Sequence, residues 1–374
     1  MTGVPDRVVR LALCGDVMTG RGVDQILPYP GDPTLHERHV QDARQYVELA
    51  EAVNGPIPRP VDFSWPWGDA PQAIDEAAPD LSLVNLETSV TTSDDYEPGK
   101  AVHYRMNPAN LPCLTAAKLD VCVLANNHVL DFGVVGLEET LDVLTGAGLK
   151  MVGAGRDSDE ASRPVTIDAR SAAVTVLAFG MPSSGVPARW GATKDRPGVN
   201  VVGKVSDGAA ADVMGRIRQA KGEGNLVVVS VHWGSNWGYD VPNADIRLGH
   251  RLVDAGADIV FGHSSHHPRP IEVYRGKLVL YGCGDFIDDY EGITGYEEYR
   301  DDLRLLYLAD LDDKTGRLAA LRMTPFQTRQ LRLHRASAAD SSWLGSTLNR
   351  VSRRFASSIH VSTDGSLVLG PIVR

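Results

Sequence analysis

The chain has 374 residues, 43% hydrophobic and 23% charged, enough for one large globular domain or two ordinary ones. A net charge of -11 and a pI near 5.5 argue against a general nucleic-acid or membrane-surface binder, because such proteins carry a basic face. The four cysteines, Cys14, Cys113, Cys122 and Cys283, show no CxxC pairing and no disulfide framework, so they are expected as core thiols in a reducing compartment.

The first apolar run, Val8–Cys14, is interrupted by Arg10 and followed at once by Gly15-Asp16. It reads as a strand. Neither an export signal nor a membrane anchor is visible, so a cytoplasmic location is expected. Asp16, at the strand exit, is placed to bind one metal or bridge two, or to cap a following helix. Arg21 is placed to hold an anion in the same cleft. Residues 28–78, rich in Pro and aromatic side chains, read as a long insertion, helical around Val40–Val53, of the kind that forms lids or substrate walls.

Leu81–Leu86 is the next predicted strand and ends at Glu87, with Asn85 placed to orient it. A carboxylate beside so apolar a strand is costly unless paired or metal-bound. His103, Tyr104 and Arg105 fall between two motif strands, within reach of a substrate. Val121–Leu124 leads into Asn126-Asn127-His128, the sharpest local signal. An Asn carbonyl suits a hard cation, and an adjacent His can move a proton to a leaving group. Asp131 can hold that imidazole in one tautomer, cap the predicted helix Val134–Ala147, or do both. Gly153-Ala154-Gly155-Arg156 lacks the spacing of a dinucleotide fingerprint and reads as a turn.

Strands are predicted at Val174–Phe179, Leu226–Val231, Ile259–Phe261 and Leu278–Tyr281, with helices at Ala209–Ala220 and Ala244–Ala255. His232 ends the second of these strands, and Trp233 and Trp237 suit a pocket wall. Gly262 to His267 follows the third and carries His263, His266 and His267; spacing does not say which two face a metal. Gly284-Asp285 follows the fourth, and Asp285 suits a residue that supports the ligands. Arg304–Thr324 reads as a hairpin turning at Asp312–Gly316, and the tail holds a further helix and an Asp364-Gly365 turn.

Alternating strands and helices specify an α/β core, and the polar strand ends gather naturally into one metal site. The order of these clusters resembles the CapA family, the poly-γ-glutamate capsule biosynthesis proteins of the calcineurin-like metallophosphatase superfamily. The resemblance is carried by LALCGDVMTGRGVD at 11–24, NLETSV at 85–90, LANNHVLDFG at 124–133, VHWGSNW at 231–237, and the stretch from GHSSHHPRPIEVY to YGCGDF at 262–286. It implies a four-layer α/β/β/α sandwich over residues 1–300, with 301–374 as an extension packed on the same domain. It also implies two divalent ions (Mn, Fe, Zn or Mg) held by Asp16, Glu87, Asn127, His232, His263 and His266, with His128 as the catalytic histidine. Family members commonly have His-Pro-His where this chain has Ser264-Ser265-His266-His267. The expected reaction is hydrolysis of a phosphoester. Arg21 or Arg105 would hold the transferring group, and Tyr104 and Trp237 would line the substrate side. Hydrolysis or transfer at a γ-glutamyl-type amide and a non-catalytic role in a biosynthetic assembly are the competing expectations. The expected partner is a small anionic or γ-glutamyl-type molecule, not a nucleic acid.

Overall fold

The computed structural model describes residues 7–203 and 208–372. The start of the N-terminal segment and the last two residues of the tail lie outside them. Two large sheets dominate. The ten-stranded sheet runs in the order Ile359–Val361, Leu367–Leu369, Leu318–Arg329, Leu303–Asp312, Val8–Val17, Leu81–Leu86, Val121–Val123, Lys150–Val152. Asp285–Ile287 lies against Val8–Val17, and Arg332–Arg335 against Leu318–Arg329. The six-stranded sheet runs Ile271–Tyr274, Lys277–Leu280, Ile259–His263, Leu226–His232, Ala173–Gly180, Val165–Asp168. Its four inner strands are parallel and its two edges antiparallel.

Side-chain alternation explains the layering. Val174, Val176, Leu226, Val228, Ile259, Phe261, Leu278 and Leu280 face the core shared with the ten-stranded sheet. Their neighbours Leu177, Val227, Val229, Val260 and Val279 face a second core, built with helices Gly208–Gly222 and Asn243–Ala255. Helices Ala70–Ala77 and Gly133–Gly146 pack on the ten-stranded sheet through Ile74, Leu137, Leu141 and Leu144. The result is an α/β/β/α sandwich. Burial on both faces is why these strands read as continuous apolar runs.

The predicted hairpin is present as Leu303–Asp312 and Leu318–Arg329. Its first strand pairs along Val8–Cys14, so residues beyond 300 complete the central sheet. The insertion is tied down as well. Trp67 Nε1 donates to the Cys113 carbonyl at 2.8 Å, and the Asp69 amide donates to the Leu333 carbonyl at 2.9 Å. One expectation fails: Ala154–Gly155 is not a free turn but a short strand paired with Gly198–Val199. Among the described residues no helix is long and apolar enough to cross a membrane.

The polar clusters lie at the carboxyl ends of the parallel strands, where α/β sheets place their ligands. A close approach fixes the geometry there. A Cβ on Gly15 would lie 1.7 Å from the Gly284 carbonyl oxygen, so only glycine fits beneath Asp16.

Candidate metal centre

Strand parity brings the first donors together. Counting by twos from Val228 through Ser230 reaches His232, and from Ile259 through Phe261 reaches His263, so both histidines leave their strands on the face toward Asp16. Ligand atoms of Asp16, His232 and His263 lie within 4.8 Å of one another, and all three residues are buried. His232 Nδ1 and His263 Nδ1 are 2.7 Å apart, and His263 Nδ1 is 3.8 Å from Asp16 Oδ1. The remaining nitrogen of His263 is engaged by Ser230 Oγ at 2.7 Å, which orients the ring.

A second set adjoins the first. His232 Nε2 faces Asn127 Oδ1 at 3.0 Å and Glu87 Oε1 at 3.9 Å. Asn85 bridges the two carboxylates, donating to Asp16 Oδ1 at 2.7 Å and Glu87 Oε2 at 3.3 Å. Asn126 supports Asn85 from behind at 3.0 Å and accepts the His128 amide at 3.1 Å. Ser264, a non-glycine residue at φ 95°, donates its amide to Asp16 Oδ2 at 3.1 Å. That backbone state costs about 1–3 kcal/mol and is typical of residues held by a functional site.

Burial, then the nearby Asp285, pushes Asp16 up to about 7. Burial, then Asp16 itself, drives Glu87 well above the usual carboxylate range. Two enclosed carboxylates so placed disfavour each other's ionised form, and a nearby cation would relieve this. Burial lowers His232 and His263, the latter to about 3, which leaves both rings neutral, the form in which an imidazole can bind a metal. Paired oxygen and imidazole donors of this kind fit borderline or hard divalent ions.

His128 stands beside the second set, with Nε2 3.7 Å from Glu87 Oε1. Its Nδ1 lies 2.6 Å from Asp131 Oδ2, and its ring stacks on Tyr104 at 3.7 Å. Asp131 does not cap the following helix, whose N-cap position is Phe132 without a side-chain bond. Its carboxylate serves His128, the Tyr104 amide and Lys100 instead.

The profile of the family described as bacterial capsule synthesis protein PGA_cap matches residues 10–290. The chain belongs to this family. A Mycobacterium tuberculosis protein named "Probable polyglutamine synthesis accessory protein" is 50% identical over 99% of this chain and 98% of its own length. The "PGA biosynthesis protein CapA" of Bacillus subtilis is 29% identical over 81% of this chain and 68% of its own. A hypothetical protein from Thermus thermophilus aligns in structure at a TM-score of 0.45 and 14% identity, over 85% of this chain and 99% of the other.

In this PGA_cap chain the other expected site residues are placed differently from the cluster. His266 faces Asp285, with Nδ1 3.0 Å from Oδ2, and Asn236, with Nε2 3.0 Å from Nδ2. Burial would lower His266, but Asp285 outweighs it and raises the ring. His267 is packed in an aromatic group with Tyr299 and Tyr239. Trp237 stacks on Tyr296 at 3.9 Å and lies 5.2 Å from the His266 ring. Arg21, at φ 44°, binds Asp289 and Glu37 and is overlaid by Tyr46 at 3.8 Å. Arg105 turns to Asp94 and to the Ser93 and Asp32 carbonyls. His103 is held by the Glu97 carbonyl at 2.7 Å.

Lys100 was missed in the sequence. Its ammonium bonds Asp131 Oδ1 and lies 2.9 Å from His128 Nδ1. The one signal was a lone lysine after the acidic stretch from Asp94 to Glu97, just before His103-Tyr104-Arg105.

Proposed function

We propose that this PGA_cap chain is a metal-dependent hydrolase with a dinuclear centre, acting on a phosphoester. The observation that carries the reading is the buried meeting of Asp16, His232 and His263 with Glu87, Asn127 and the outer nitrogen of His232. Asp16, His232, His263, Glu87 and Asn127 would together hold the divalent ions, each neutral imidazole through one nitrogen only, with His266 the further ligand expected from the family resemblance. Bound cations there would polarise the scissile group and ease deprotonation of the attacking water. His128 Nε2 accepts a proton at the edge of the cluster and returns it to the leaving oxygen, while Asp131 holds Nδ1. Tyr104 covers one face of the imidazole and keeps bulk water from it.

A second reading, hydrolysis or transfer at a γ-glutamyl-type amide, draws on two observations. Arg21 and Arg105, the guanidinium groups expected to clamp a phosphoryl group, are already paired with carboxylates. The printed names of the relatives concern polyglutamine and PGA synthesis. We read the chain as cytoplasmic, since its four cysteines are free and buried.

The test is metal analysis of protein purified without chelator, followed by two assays with added manganese. Release of phosphate from an aryl phosphate supports the first reading, and release of glutamate from a γ-linked oligomer the second. Less than one equivalent of metal, with no turnover in either assay, overturns both.

A further inference from the structure

Lys100 and His128 meet on a shared carboxylate, and the ammonium also lies 2.9 Å from His128 Nδ1. Asp131 has no exposed surface. Its Oδ1 binds the Lys100 ammonium, and its Oδ2 takes the Tyr104 amide at 2.7 Å and meets His128 Nδ1 at 2.6 Å. A neutral imidazole carries one hydrogen, on one nitrogen or the other. An ionised carboxylate only accepts, so opposite a charged Asp131 the hydrogen sits on Nδ1. Nε2, 3.7 Å from Glu87 Oε1, is then an acceptor. A protonated Asp131 donates instead, and the hydrogen moves to Nε2. The Tyr104 stack at 3.7 Å and 17° fixes the ring plane, so the choice is made by hydrogen position and not by rotation. Lys100 is the cation bonded to Asp131 among the described residues, and its side chain is 17% exposed, with the Trp190 ring 5.5 Å from the ammonium.

We propose that Lys100 is the positioning residue that sets the His128 tautomer, holding Asp131 as a carboxylate so that Nδ1 carries the hydrogen and Nε2 stays open toward Glu87. Nδ1 is closer to Asp131 Oδ2, at 2.6 Å, than to the Lys100 ammonium, at 2.9 Å, so the carboxylate is the nearer partner and takes the Nδ1 hydrogen. Burial pushes Asp131 up to about 6, and Lys100 is the first of the groups that oppose it. Removing the ammonium therefore favours the carboxylic acid and the reversed tautomer. The inference rests on the reading of His128 as the proton-moving residue, but its first test does not depend on turnover.

The experiment is 15N NMR of histidine-labelled protein loaded with diamagnetic magnesium, comparing wild type, Lys100→Met and Lys100→Arg. The His128 signals are assigned by their loss in His128→Ala. In wild type the Nε2 signal is expected in the unprotonated range. In Lys100→Met it moves to the protonated range, and Lys100→Arg keeps the wild-type pattern because the charge remains. Turnover of Lys100→Met falls by about 100-fold or more, in kcat and not KM, with a changed pH profile. Lys100→Gln supplies a second neutral variant should methionine impair folding, which thermal melting monitors. A wild-type tautomer in both neutral variants overturns the proposal. A tautomer that responds while neither assay shows turnover leaves Lys100 its role and removes the hydrolase reading. Turnover with an unresponsive tautomer does the opposite.

Discussion

Asn85 holds the two facing carboxylates in register, because its one amide group donates to both Asp16 and Glu87. Asn85→Ala is therefore expected to weaken metal binding by about 10–100-fold, as loss of a residue supporting ligands does. Competition titration against a fluorescent chelator would show it, and unchanged affinity would count against the centre. His128→Ala makes the contrasting prediction. Metal content stays at the wild-type level, while turnover falls by about 100- to 10,000-fold. Loss of metal in that variant would make His128 a ligand. At this scale the sequence was informative wherever a donor stood next to an apolar run. Asp16, Glu87, Asn127, His232 and His263 share that position, and the structure gathers all five. It was uninformative for Lys100, which lies on a loop and reaches His128 through folding alone. The choice among His263, His266 and His267 was also illegible, since the left-handed turn at Ser264 redirects the chain between them.

Besides the contacts of Trp67 and Asp69, one guanidinium fastens the insertion to the sandwich. Arg21 binds Glu37 within the insertion and Asp289 within the core, under the ring of Tyr46 from helix Arg44–Asn54. Tyr104, which stacks on His128, also lies beneath it, 4.8 Å from the guanidinium. Arg21→Met leaves two buried carboxylates without their partner and is expected to cost about 3–5 kcal/mol. Denaturant unfolding measures that loss, and limited proteolysis within residues 28–43 should speed up in the same variant. Equal cleavage rates would mean that the insertion is held by other contacts, such as Trp67 on the Cys113 carbonyl. The strands of the core were readable because burial on both faces leaves them continuously apolar. The fastening was not, because Arg21, Glu37 and Asp289 belong to segments with no shared period, and Asp289 is 268 residues from its partner.

Across the whole molecule, the unbalanced centre couples stability to pH. Asp16 and Glu87 have folded-state values above their unfolded ones, so their contribution is lost as pH rises toward and beyond about 7. His232 and His263 have depressed values, so they destabilise the fold only below about 6.5, where the unfolded rings charge. Between about pH 6.5 and 8 the carboxylates therefore dominate, and the melting temperature of metal-free protein should fall. Added manganese should raise it, and by more at the higher pH, because the cation favours the ionised carboxylates. Calorimetry at both ends of that range checks the sign; a metal effect independent of pH would contradict it. The pairing of Val8–Cys14 with Leu306–Asp312 has a further consequence, for synthesis. The strand that carries Asp16 leaves the ribosome long before Leu303–Asp312, one of its two long neighbours. Until then one edge of a largely apolar strand stays unpaired, a state that invites aggregation and chaperone binding. Folding of this chain is thus expected to be slow and largely post-translational, with truncation before Leu303 giving insoluble protein.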